Sequence, residues 1–172
     1  MHTTLDANQL RAALTAARFP DHCNIRRIEH DRRVIPVSRG RHVRGWHPIR
    51  PDHPTVAFES KLECRLLTAL VRFAELRSVV SQPVTVSYTV DGTSHRYTPD
   101  FLVEFANVPD TLTWLGFTRR TYVEVKPLRR ALNVEATLRR QFPVLRQAMQ
   151  TAVTLITDWD LTLSNWEVCH DA

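Results

Sequence analysis

The chain has 172 residues, of which 43% are apolar and 24% charged, with a formal net charge of +5 at pH 7. That is room for one globular domain with a real core, and it excludes disorder over most of the length. The longest uncharged run, residues 78–90, is broken by Gln82 and Pro83 and falls short of the roughly 18 apolar residues that span a bilayer.

The opening residues, Met1-His-Thr-Thr-Leu-Asp, carry no charged-then-apolar signal pattern, so a soluble protein of a prokaryotic cytoplasm, with no membrane partner, is expected. Cys23, Cys64 and Cys169 are scattered and form no CxxC pair, which supports neither a disulfide framework nor a zinc ribbon. Of the 23 basic residues only Lys61 and Lys126 are lysine, so a lysine is a marked choice here.

Residues 5–18 predict a short helix. Residues 21–53 then hold eight arginines and five histidines against four acids, with no helical or strand period lasting more than a few residues. They read as an extended or irregular basic arm, so the chain divides into 1–54, a short helix and Arg-rich arm, and 55–172, the main domain. Arginines among polar groups suit phosphate backbones, and Arg39, Arg41, Arg44 and Arg50 are the candidate nucleic-acid contacts. A solvated basic surface or a protein-contact arm is the alternative. The histidines lack metal-ligand spacing.

From Thr55 the pattern becomes that of an amphipathic helix. Leu62, Leu66, Leu67, Leu70, Phe73 and Ala74 share one face, and Lys61, Arg65, Thr68, Arg72 and Glu75 the other. Glu59 and Glu63 break the rule by projecting to the apolar side. Two strand-like runs flank Asp91-Gly92, a hairpin signal; residues 107–120 read as a loop. TYVEVKP alternates strictly, with Val123 and Val125 on one face and Tyr122, Glu124 and Lys126 on the other. A helical region from Asn133, a candidate cap, to about Met149 carries a break or kink at Pro143, and AVTLIT forms a last strand. The order helix, three strands, helix, strand predicts an α/β layer fold with a mixed sheet.

Glu63, Asp100, Glu124 and Lys126 are the polar residues this pattern places toward a half-buried cleft. Three carboxylates there would repel one another unless a divalent cation neutralised them, and hard oxygen ligands select Mg²⁺ or Mn²⁺. A lysine beside the metal can orient a hydrolytic water or stabilise charge on a phosphate. Each piece has a structural alternative: Ser60-Lys-Leu-Glu63 is a capping box, Pro99-Asp100 a turn, and Glu124/Lys126 an ion-pair ladder.

The ordered set Glu63…Pro99-Asp100…Glu124-Val125-Lys126 resembles the PD-(D/E)xK nuclease superfamily. With FESKLE, SQPVTVSY, YTPDFLVEF, YVEVKP and TLITD, it is more narrowly similar to the TnsA-like endonuclease subunits of heteromeric transposases, over roughly residues 55–158. The resemblance implies a restriction-endonuclease-like core. Glu63, Asp100 and Glu124 would be metal ligands together with the Val125 carbonyl, and Lys126 would assist the attacking water. It also implies cleavage of the 5′ strands at transposon ends in DNA, beside an integrase-type, TnsB-like transposase and a regulatory, TnsC-like ATPase. The family's second, C-terminal domain is not expected here, since 14 residues follow Asp158. Two alternatives stand beside this reading: a non-catalytic DNA-binding or assembly subunit, and a stand-alone defence or repair nuclease.

Overall fold

The computed structural model of the chain describes residues 4–30, 43–162 and Trp166. They form a mixed α/β fold of five α-helices and three sheets. At its centre lies a four-stranded sheet built from β4 (Leu76–Ser81), β7 (Phe101–Phe105), β8 (Arg120–Val125) and β9 (Ala152–Ile156), in that order. The first three strands run antiparallel and β9 joins β8 in parallel. The sheet is therefore mixed, as the element order predicts.

β8 explains why this sheet is central. Five of its six residues are buried, so both faces of the strand are covered. Val123 and Val125 enter an apolar cluster with Leu62, Leu66, Leu67 and Leu70 of α2 (Lys61–Leu70). Tyr122 enters a second cluster with α1 (Thr4–Ala16) and α5 (Glu135–Met149), represented by Leu10, Leu14, Leu138, Phe142 and Leu145. A strand alternates its side chains between faces, so one strand divides the two cores. Arg11 fastens α1 to this assembly: its guanidinium donates to the Leu155 carbonyl, to Asn8 and to the fully buried Asp160.

The predicted hairpin is present as β5 (Thr85–Val90) and β6 (Thr93–Tyr97), paired antiparallel around Asp91-Gly92. Both turn residues have positive φ, 48° and 78°, as a two-residue hairpin turn of the mirror-image type requires. Its second half is shorter than the sequence pattern suggests. The chain breaks at Pro99, and β6 and β7 belong to different sheets.

Several expectations change. The basic arm is not irregular throughout: β1 (Cys23–Glu29) pairs with β5, and β2 (Gly45–His47) pairs with β3 (Val56–Phe58). The predicted long helix is ten residues, flanked by β3 and β4. The loop at 107–120 contains a short helix, α3 (Asp110–Thr113). Asn133 ends α4 (Leu128–Asn133) rather than capping α5, and α5 runs through Pro143. There Phe142, Pro143, Val144 and Leu145 are all buried, and their packing offsets the backbone hydrogen bond a proline cannot make. Cys23 and Cys64 are free thiols; Cys169 lies outside the described residues. Among the described residues no helix is long and apolar enough to cross a membrane.

Candidate active site

Glu63 sits in the first turn of α2. Ser60 caps that helix, with its Oγ accepting the Glu63 N–H at 3.1 Å. The Glu63 carboxylate returns the arrangement, accepting from Ser60 Oγ and from the Glu59 N–H, each at 2.8 Å. The capping-box alternative is therefore real. It does not exhaust the residue, because Glu63 is buried on the side of α2 that faces the sheet. Burial drives its carboxyl above the usual range, the two hydrogen bonds pull it down, and the charges of Glu59 and Glu124 push it up again.

Asp100 and Glu124 meet because β7 and β8 are neighbours, with Phe101 opposite Val123. One step further along this antiparallel register brings Asp100 beside Glu124. Asp100 Oδ2 accepts the Val125 N–H at 2.7 Å. Its carboxyl lies well above the ordinary carboxylate range, through burial first, then the charges of Glu124 and Glu63, against which the Val125 N–H and Lys126 act. Glu124 is buried and held from two sides: Lys126 Nζ donates to Oε1 at 2.7 Å, and the Tyr97 hydroxyl to Oε2 at 3.0 Å. Lys126 itself remains about a quarter exposed, at 24%. All four predicted site residues thus gather at one end of the central sheet.

Tyr97 is a site residue that the sequence reading did not pick out. Burial and the neighbouring carboxylates push its phenol well above the ordinary range, so it remains a donor to Glu124. The signal was its place at the end of β6, three residues before Asp100. Gln82 is a second. Its backbone N–H donates to the Asp100 carbonyl at 2.8 Å and its side-chain amide to Glu59 at 3.2 Å. Its φ is +45° and its Oε1 is buried without a hydrogen-bond partner. Glu59 lies ahead of the Ser60 cap, outside the helix on which the wheel placed it; it reaches this cluster through Gln82 and also ion-pairs with Arg44 at 3.5 Å.

The predicted nucleic-acid contacts fare differently. Arg39 and Arg41 lie outside the described residues. Arg44 binds Glu59, and Arg50 donates to the carbonyls of Phe73 and Ala74 in the turn after α2. Both described arginines thus brace the protein around α2.

The three carboxylates, with the Val125 carbonyl that the resemblance adds, would offer an all-oxygen donor set, the type suited to Mg²⁺ or Mn²⁺. The elevation of Asp100 by Glu124 and Glu63 is a charge conflict that a cation would relieve. In donor type and charge the residues fit such an ion. Among the described residues, however, no group of three or more His, Cys, Asp or Glu side chains is arranged to hold a metal as it stands. Both oxygens of Glu63 and both of Glu124 are engaged in internal hydrogen bonds, so binding would exchange some of these for metal contacts. No protein-family model and no curated protein matches the chain.

Proposed function

We propose that this chain is a metal-dependent DNA endonuclease with a restriction-endonuclease-like core, acting as the TnsA-like subunit of a heteromeric transposase on the 5′ strands at transposon ends. The observation that carries the reading is the meeting of Glu63, Asp100 and the Glu124/Lys126 pair from three separate stretches of the chain, with Asp100 raised by burial and then by its acidic neighbours. Asp100, Glu124, the Val125 carbonyl and Glu63 would hold the Mg²⁺, which supplies an activated water and charge neutralisation at the phosphate.

The protein's own groups have separable tasks. Tyr97 fixes the rotamer of Glu124 from the buried side. The Val125 N–H fixes Asp100. Lys126 spends one of its three N–H donors on Glu124 and, being partly exposed, has others to offer a phosphate oxygen or the attacking water.

Calorimetric titration of Mn²⁺ into wild type, Asp100→Ala and Glu124→Ala tests the reading. It expects binding that both substitutions remove; a wild type that binds no Mn²⁺, alone or with DNA, overturns it. The internal hydrogen bonding of Glu63 and Glu124 favours a second reading, a non-catalytic DNA-binding or assembly subunit in which these acids serve the fold. Under it Asp100→Ala leaves complex assembly and strand cleavage by the partner unchanged.

A further inference from the structure

Glu63 and Asp100 come from different parts of the fold, the first turn of α2 and the residue before β7, and a short chain of hydrogen bonds joins them. The Glu63 carboxylate accepts the Glu59 N–H at 2.8 Å. The Glu59 carboxylate accepts the Gln82 side-chain amide at 3.2 Å, and the Gln82 main-chain N–H donates to the Asp100 carbonyl at 2.8 Å. Glu59 lies between the end of β3 and the Ser60 cap, and Gln82 directly follows β4. One side-chain pair therefore clasps the two connecting segments that lead to Glu63 and Asp100. Arg44 ion-pairs with the other Glu59 oxygen at 3.5 Å, so that carboxylate is held from two sides.

The clasp is made against local preferences. The Gln82 main-chain bond continues the β4–β7 ladder one step past the Ser81–Phe101 pair, which an extended residue could do. Gln82 instead sits at φ +45°, a region unfavourable to any residue with a side chain. With its Nε2 on Glu59, its Oε1 is left buried without a hydrogen-bond partner, a second unfavourable term. Turning the amide over would set Oε1 against the Glu59 carboxylate, two acceptors face to face, so Glu59 dictates the orientation. The Glu59 charge in turn pushes the Glu63 carboxyl up. Strain, an unpartnered acceptor and a like charge thus gather at one contact, as they do where a functional geometry has to be held.

We propose that Glu59 and Gln82 are positioning residues of the candidate metal site, which together set the separation of Glu63 and Asp100. The inference rests on the metal-dependent nuclease reading and adds how two ligands carried on separate elements are kept in register. Neither side chain binds the cation itself. Hydrogen bonds that hold ligands in place from behind tune metal affinity nearly as strongly as the ligands do.

The test is calorimetric titration of Mn²⁺ into the full chain and four variants: Glu59→Ala, Glu59→Gln, Gln82→Met and the double variant Glu59→Ala/Gln82→Met. Glu59→Ala and Glu59→Gln remove the same charge, and only glutamine keeps an acceptor for the Gln82 amide. Gln82→Met removes the amide at similar size and unchanged charge. Glu59→Ala and Gln82→Met are each expected to weaken Mn²⁺ binding about 10-fold, the low end for a group supporting a ligand. Glu59→Gln should bind more tightly than Glu59→Ala, and the double variant should bind as Glu59→Ala does, because the same link is cut twice. All four should keep the wild-type circular dichroism spectrum and a cooperative urea transition. Wild-type affinity in Glu59→Ala and Gln82→Met, equal losses in Glu59→Ala and Glu59→Gln, or losses that add in the double variant overturn the proposal and leave the nuclease reading standing. A wild type that binds no Mn²⁺, alone or with DNA, overturns the nuclease reading and the proposal with it.

Discussion

Asp100→Asn is expected to make the metal-free protein more stable. Burial first, and then the charges of Glu124 and Glu63, disfavour a charged Asp100, with the Val125 N–H and Lys126 compensating in part. Asparagine keeps an oxygen for the Val125 N–H, now 2.7 Å from Oδ2, and turns an N–H₂ donor toward the acidic side. Removing one of three clustered negative charges at so frustrated a position should yield about 0.5–2 kcal/mol, the usual range for relieving a functional site. At about 2–4 °C per kcal/mol for a chain of this size, Tm rises by about 1–8 °C. The sign with pH follows from linkage. Because the folded-state carboxyl is raised, wild type takes up a proton on folding, and the stability this provides is present at low pH and lost as pH rises through the folded value. The advantage of asparagine is therefore largest at pH 8 and closes as pH falls toward the ordinary Asp range. Mn²⁺ should invert the order, since at 100-fold above its Kd a ligand adds about 2.7 kcal/mol to the form that binds it. Differential scanning calorimetry at two pH values, with and without Mn²⁺, reads all of this. If Asp100→Asn is less stable than wild type at pH 8 without metal, burial and the neighbouring carboxylates do not disfavour a charged Asp100 as argued.

Two further substitutions probe the supports of the site and of the fold. Tyr97→Phe deletes a buried hydrogen bond to a carboxylate and is expected to cost about 1.5–3 kcal/mol, with Mn²⁺ affinity reduced because Glu124 is no longer oriented; chemical denaturation and calorimetry check the two parts. Arg11→Met leaves Asp160 buried without its cation and should cost about 3–5 kcal/mol, much of which Asp160→Asn in the same chain should restore in urea melts.

How far the sequence discloses this protein depends on whether a pattern is local. β8 was legible because Val123 and Val125 alternate with Tyr122 and Glu124 on a strand whose two faces meet two cores. The inner face of α2 was legible from its leucines. β1 was hidden by a bulge: the register with β5 shifts between Ile25 and Arg27, so Ile25 and Ile28 are three residues apart and no period of two survives. Most of β4 is hidden because the helical pattern that begins at Thr55 runs on through Val79, with no glycine or proline to end it. The four residues that gather at one end of the central sheet were legible as an ordered set. Tyr97, Gln82 and the engagement of Arg44 and Arg50 were not, because each is fixed by a partner far away in the chain.

Gln82 shows what such tertiary placement costs. It is a non-glycine residue at φ +45° directly before Pro83, where the backbone is normally extended, and positive φ costs an ordinary side chain about 1 kcal/mol or more. The conformation persists because the residue directly follows β4 and must at once give its N–H to the Asp100 carbonyl and its amide to Glu59. Those two bonds tie the strand end, the Pro99-Asp100 segment and the approach to α2 together, so the strain serves the placement of Asp100. Comparing Gln82→Ala with Gln82→Gly separates the terms. Both lose the amide, and glycine alone relieves the backbone. Glycine should therefore be more stable than alanine by about 1 kcal/mol, while both weaken Mn²⁺ binding relative to wild type. If alanine equals or exceeds glycine in equilibrium denaturation, Gln82 does not occupy the left-handed conformation and its strain is not what aligns Asp100.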